Sequence, residues 1–258
     1  MKHQIGLALS GGGVKGVVHA GMIHFFDEIG FKPSIISGTS AGAVVGLLYA
    51  TGHSGEEILH FFLTEKPFST SFWKGDRGLI ETRKIRQIFS KYIVYDDFGR
   101  LKCDFKPVAT NMLNGTSKVF ESGSVIDAVL ASAAFPGIFQ PMEINDVLYS
   151  DGGILNHFPA DIIRDECNYL VGMHLSPNKI LKNEDLDSTR DILARTVDIQ
   201  GSEAEVKKLE ICDVALFPEQ LRNYATFDTK EEKIMEMFKL GYAYAEKHEA
   251  QLTQMLSR

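Results

Sequence analysis

The sequence predicts a three-layer α/β/α sandwich with a mostly parallel central sheet, and three observations predict it. Short apolar runs alternate with longer runs of helical spacing from residue 5 onward, in the order strand, helix, strand, helix. The strand-like runs are apolar throughout rather than alternating, as expected of strands covered on both faces. Glycine-rich turns stand where the first two strands hand over to helices.

Ile5-Gly6-Leu7-Ala8-Leu9 reads as the first, central strand, bounded by Ser10 and three glycines. Val17 to Ile29 carries apolar residues at helical spacing (Val18, Met22, Phe25, Phe26, Ile29) and stops at Gly30. After Pro33, Ser34 to Ser37 is the second strand, and Ala41 to Ala50 is a helix of small residues ending near Gly52. Helices are expected at Gly55–Leu63 and Thr82–Tyr92, with an aromatic loop (Phe68, Phe72, Trp73) between them. Lys106–Asn111 and Ser117–Glu121 are strands flanking Asn114-Gly115, a dipeptide that hairpin turns favour. Ser124 to Ala134 is a helix stopped by Phe135-Pro136-Gly137. Leu148 to Ser150 runs into Asp151-Gly152-Gly153, and Asn168 to Leu175 is another buried strand. Asp191–Glu210 is helical, and Cys212–Phe217 is the last strand. The terminal helix opens with a capping box, Thr229 to Glu232, and its apolar side runs Ile234, Phe238, Gly241, Tyr242, Ala245. With no internal repeat and no linker, residues 1–258 read as one domain. Its motifs fall within about 4–175, followed by a C-terminal segment, 176–258.

Of the 258 residues, 44% are apolar and 24% charged, the balance of an ordinary globular protein. A formal net charge of −7 argues against nucleic acid as a partner and gives no bulk attraction to anionic lipid. Any membrane contact is expected to be local, apolar and peripheral. No run approaches the length of a bilayer span, and the apolar run after Lys2 is too short for a signal peptide, so the expected location is cytoplasmic. Cys103, Cys167 and Cys212 are distant and odd in number, which suits reduced thiols rather than a disulfide framework or a zinc site.

Gly38-Thr39-Ser40-Ala41-Gly42 carries the chemistry. In a G-x-S-x-G elbow the serine sits on a sharp strand-to-helix turn with its hydroxyl projecting above the sheet edge. Here an apolar strand ends just before Ser40 and a helix of Ala, Gly and Val follows. The competing reading is a plain helix N-cap. Gly11-Gly12-Gly13-Val14-Lys15-Gly16 closes the first strand and opens the first helix, so its bare amides and the helix terminus can face an anion. Two functions fit: an oxyanion hole, or a dinucleotide fingerprint with Gly11, Gly13 and Gly16 as its glycines. A dinucleotide fold wants an acidic residue at the end of the second strand, where this chain has Ser37-Gly38-Thr39-Ser40. Turns after adjacent parallel strands share one sheet edge, so loop and elbow would face each other, which favours acyl transfer. Asp151-Gly152-Gly153 adds a carboxylate at a sterically open strand end, with an ordinary turn as its plainer reading.

Together these elements resemble the patatin-like phospholipase family of serine acyl hydrolases, in its bacterial type. The resemblance runs through Gly11–Gly16, Gly38–Gly42, Ala131-Ser132-Ala133-Ala134-Phe135-Pro136 and Asp151-Gly152-Gly153, with Asn156 and Pro159 following. It implies a Ser40–Asp151 dyad without histidine and an oxyanion hole from Gly11, Gly12 and Gly13. Lys15, Gly38, Gly42, Gly152 and Gly153 would support the site. It implies fatty-acyl esters of phospholipids and related lipids as substrates, cleaved without calcium. The expected chemistry is cleavage of phospholipids or lysophospholipids through an acyl-enzyme on Ser40, with no other metal or cofactor. The match is loose after about Leu175.

Other readings stay open on sequence alone. A Ser-His-Asp esterase could use Ser40, Asp151 and His157 or His174, although Ser40 comes early for that fold. A lipid-binding protein without turnover and a nicotinamide enzyme are the remaining classes. The aromatic residues Phe61, Phe62, Phe68, Phe72 and Trp73 are either core or a lipid-facing cap. His19 is expected to pack on the first helix, and Lys15 to be solvated or to add positive charge near the site.

Overall fold

The computed structural model describes residues 3–68, 82–177, 180–188 and 204–256, together with positions 192, 195 and 199. Among them, eight strands form one sheet. β1 (His3–Leu9), β2 (Ile35–Thr39), β3 (Asp104–Asn111), β7 (Cys167–Met173) and β8 (Val214–Leu216) are parallel, in the order β3-β2-β1-β7-β8. Beyond β3 lies β6 (Val147–Asp151), antiparallel to it, and then β5 (Met142–Ile144). β4 (Thr116–Val119) also pairs with β3, antiparallel. The chain leaves β1 toward β2 on one side and reaches β7 on the other, so the crevice beside β1 is where ligands bind in such sheets.

Both faces of the central strands are covered, which is why β1 beyond Gln4 and all of β2 are buried without alternation. Leu7, Leu9, Ile36 and Val171 enter the larger core, while Ala8, Ile35 and Leu170 enter a smaller one behind. The larger core lies under α1 (Val17–Glu28), α2 (Ala41–Thr51), α3 (Gly55–Glu65), α4 (Thr82–Tyr92), α5 (Val125–Ser132), α7 (Glu231–Glu246) and α8 (Glu249–Leu256). The smaller is closed by α6 (Ala160–Ile163) and Phe158.

The structure departs from the sequence reading in a few places. β2 continues through Gly38 to Thr39, right up to the elbow. The β5–β6 hairpin is an addition to the expected elements, although its turn residues Asn145 and Asp146, both at positive φ (51° and 62°), are a type I′ signal. The helix expected to be terminal, α7, begins at Glu231 and is followed by α8; its N-cap Lys230 has no side-chain cap bond, and Asp228 Oδ1 instead accepts the Lys230 N–H. The Thr229–Glu232 capping box therefore does not form, because Thr229 stands one residue too early. The described positions between 192 and 207 are helical, as expected. Phe61, Phe62 and Phe68 are core residues, whereas Phe72 and Trp73 lie outside the described residues. No described helix is long and apolar enough to cross a membrane.

Candidate active site

Sheet register brings the three sequence motifs to one rim. Leu9 pairs with Gly38, so the glycine loop and the elbow emerge side by side. Thr39 pairs with Val108, and the next residue of β3, Ala109, pairs with Asp151. Ser40 and Asp151 thus stand level on either side of β3. An antiparallel strand would ordinarily deliver its end to the opposite edge. β6 reaches this rim because its ladder begins beyond it, at the β5–β6 hairpin, and descends to Asp151.

Ser40 holds φ 53° and ψ −118°, a strained conformation for a residue with a side chain. Packing enforces it. A Cβ on Gly42 would lie 2.2 Å from the Leu9 carbonyl oxygen, and one on Gly38 would lie 2.6 Å from the Gly42 oxygen. Only bare backbone lets the α2 terminus pass this close to β1 and β2. The Ser40 N–H donates to Ser132 Oγ at 2.9 Å, and that hydroxyl donates to the Val108 carbonyl at 2.5 Å. Thr39 Oγ1 donates to the Asn156 carbonyl at 2.8 Å, tying the elbow to the loop after Asp151.

Asp151 is 2% exposed. Its N–H donates to the Ala134 carbonyl, and its Oδ1 accepts the Gly153 N–H at 2.7 Å. Oδ2 is buried and has no hydrogen-bond partner among the described residues. Burial raises the carboxyl from 3.8 to about 6, against the opposing pull of the Ser40 hydroxyl and the Gly153 amide. The Ser40 hydroxyl therefore lies near enough to bias the carboxylate, without a short bond between them.

In the glycine loop, the Gly11 N–H donates to the His157 carbonyl at 3.0 Å and the Val14 N–H to the Thr226 carbonyl at 2.9 Å. The amides of Gly12 and Gly13 have no backbone partner among the described residues, and both glycines line the cleft that holds Ser40 and Asp151. Of the three glycines named from sequence, two are thus open to a ligand, and Gly11 is engaged. Gly13 has φ 60°, and a Cβ there would meet the Thr226 carbonyl oxygen at 2.4 Å. The cleft is walled by Phe68, Phe135, Phe139 and Phe227. A second, wholly apolar pocket between α2, α4 and α5 shares Phe68, Ala133 and Phe139 with it.

A family model for patatin-like phospholipases matches residues 7–164. The chain belongs to the patatin-like phospholipase family. It is 26% identical to a lysophospholipase NTE1 of Meyerozyma guilliermondii, over 94% of this chain and 19% of that protein. It is 32% identical to an NTE family protein of Mycobacterium tuberculosis, over 60% of this chain and 44% of that protein. The chain thus spans less than half the length of either relative. Among solved structures it is similar to VipD from Legionella pneumophila, with a TM-score of 0.56 at 16% identity, over 99% of this chain and 67% of that one. This likeness extends the shared patatin-like fold past the residues that the family model matches.

Within this patatin-like site, the histidines of the triad reading are poorly suited to take a proton from Ser40. His157 Nε2 is bonded to Ser176 Oγ at 2.9 Å, and burial with the Lys15 cation lowers its pKa to about 4. His174 is 1% exposed, its Nδ1 accepts the Ser176 N–H, and burial keeps it neutral. Sequence reasoning misses the roles of four residues: Ser132, which orients the Ser40 amide; Lys208 and Glu205; and Thr226, which brings the C-terminal segment against Gly13. Lys208 Nζ reaches Asn156 Oδ1 at 2.8 Å and Glu205 Oε1 at 3.1 Å, while Glu205 Oε2 accepts the Phe158 N–H. Ser132 lies inside the Ala131–Pro136 motif, where a hydroxyl in an otherwise apolar helix end is the available signal. The other three belong to the segment after Leu175, where no local pattern marks them.

Proposed function

We propose that this protein is a serine hydrolase that cleaves fatty-acyl esters of phospholipids or lysophospholipids through a Ser40–Asp151 dyad. One observation carries the reading. A strained serine on an elbow shares a cleft with a buried carboxylate, whose free oxygen has no partner among the described residues, and with two unengaged amides. Ser40 Oγ attacks the acyl carbonyl as its proton passes to Asp151 Oδ2, and the carbonyl oxygen becomes an oxyanion held by the Gly12 and Gly13 N–H groups. The ester C–O bond then breaks, and the leaving alkoxide takes the proton from Asp151. Water attacks the acyl-enzyme, gives a proton to the same carboxylate, and the fatty acid leaves as Ser40 recovers its hydrogen.

A carboxylate is a weak base for a serine hydroxyl, so most of the barrier lowering falls to the oxyanion hole. Burial eases the mismatch by raising Asp151 to about 6, which makes it a stronger base than an exposed carboxylate. The lysophospholipase relative favours lipid esters, and the aromatic cleft with its apolar side pocket suits a fatty chain. Contact with a lipid surface would be peripheral. Labelling with a fluorophosphonate and turnover of p-nitrophenyl esters test the proposal. Ser40→Ala should abolish labelling and lower turnover at least about 10³-fold. Labelling at another residue, or full activity of Ser40→Ala, would overturn it.

A further inference from the structure

The glycine loop is held by an alternation of bonds that begins at a buried histidine. In a trans peptide the C=O and the following N–H point in opposite directions, so fixing one aims the other. His19 Nε2 lies 3.0 Å from the Ser10 carbonyl oxygen, and since that partner only accepts, Nε2 carries the proton. In the same peptide plane, the Gly11 N–H points away to the His157 carbonyl at 3.0 Å. The Gly11 carbonyl accepts from Ser10 Oγ at 3.0 Å, and that oxygen accepts the Leu175 N–H at 2.8 Å. The opposite end of the Gly11–Gly12 plane is the Gly12 N–H. The Gly12 carbonyl accepts the Lys15 N–H at 3.2 Å, and the opposite end of that plane is the Gly13 N–H. The bonds to the Gly11 and Gly12 carbonyls thus turn the Gly12 and Gly13 amides the other way, and the His19 bond fixes the plane immediately before them.

His19 is an odd residue for its place. It is fully buried in the first turn of α1, and its Nδ1 has no hydrogen-bond partner among the described residues. A phenylalanine or leucine would fill such a site without leaving a buried nitrogen unpaired. Burial holds the ring neutral, with a pKa of about 4, so it has one proton and that proton goes to Ser10. What the imidazole adds over an apolar side chain is this single bond.

We propose that His19 is a positioning residue for acyl transfer: by holding the Ser10 carbonyl, it anchors the Ser10–Gly11 peptide plane from which the loop bearing the Gly12 and Gly13 amides starts. The inference rests on the serine-hydrolase reading, and Ser40→Ala serves as the control that separates the two. His19→Phe keeps the volume and removes the donor. His19→Gln keeps a donor at about the reach of Nε2. With p-nitrophenyl butyrate, His19→Phe should lower kcat about 10–100-fold, since loss of one hole donor costs about 10²–10³ and misdirection costs part of that. KM should stay within about threefold, because the oxyanion exists only in the transition state. The rate of fluorophosphonate labelling should fall in parallel, and His19→Gln should recover most of both. If His19→Phe does not fold, His19→Asn, whose amide stops short of Ser10, takes its place with the same expected loss. Wild-type kcat in a folded donor-free variant, or equal losses in His19→Gln and His19→Phe, would overturn the role of the donor. Undiminished turnover in Ser40→Ala would instead remove the reading beneath it.

Discussion

Replacing Asp151 by asparagine should make the folded protein more stable at pH 8 while removing its activity. The carboxyl ionises at 3.8 when exposed and at about 6 in the fold, with burial as the largest cause. Below pH 3.8 it is protonated in both the folded and unfolded chains, and the group brings no penalty. As the pH rises through 6 the folded state must ionise a buried group, and the stability present at low pH is lost. At about 1.4 kcal/mol per pH unit, the difference amounts to about 3 kcal/mol at pH 8. The substituted side-chain amide would keep an acceptor for the Gly153 N–H and present its hydrogens toward Ser40, without a charge. For a chain of this size each kcal/mol moves Tm by about 2–4 °C, so Asp151→Asn should melt about 6–12 °C above the wild type at pH 8. The gap should close toward pH 4. Melting curves across pH 4–8 read it directly. A gap that does not change with pH, or a variant less stable at pH 8, would refute the burial argument. The same carboxylate should govern the acid limb of kcat/KM, which falls below pH about 6 as the base is protonated.

Four further outcomes are expected. Ser132→Ala removes the acceptor of the Ser40 N–H and a donor to Val108, and should lose about 1–3 kcal/mol of stability in urea melts together with a fall in kcat. Gly42→Ala would drive a methyl group into the Leu9 and Ser10 carbonyls, so expression in soluble form should fail or the midpoint of unfolding should drop steeply. Lys208→Met leaves the buried Glu205 without its cation and should destabilise by about 3 kcal/mol, with Glu205→Gln in the same chain restoring part of it in thermal melts. Ala133→Leu fills the wall shared by the cleft and the apolar pocket, so turnover of a dodecanoyl ester should fall about tenfold or more relative to a butyryl ester.

The cleft and its support reach well beyond the family's motifs. Gly13 is in place because Thr226 leaves room only for a hydrogen. Asn156 and Phe158 are held by Lys208 and Glu205, so the loop after Asp151 depends on residues some fifty positions later in the chain.

The order of residues along the chain dictates the alternation of strands and helices, the elbow at Ser40, the glycine loop after the first strand and the open turn at Asp151. Those features are local: apolar runs set the elements, and Gly38 and Gly42 signal a crowded turn because no side chain could fit there. That Asp151 reaches the Ser40 rim on an antiparallel strand is a matter of folding, since register is set by pairing partners far apart in the chain. Long-range contacts likewise settle which amides stay open, because the partners of Gly11 and Val14 are carbonyls at residues 157 and 226. The raised carboxyl of Asp151 belongs to the same class: its cause is burial, a property that every neighbour contributes to and that no single stretch of residues encodes.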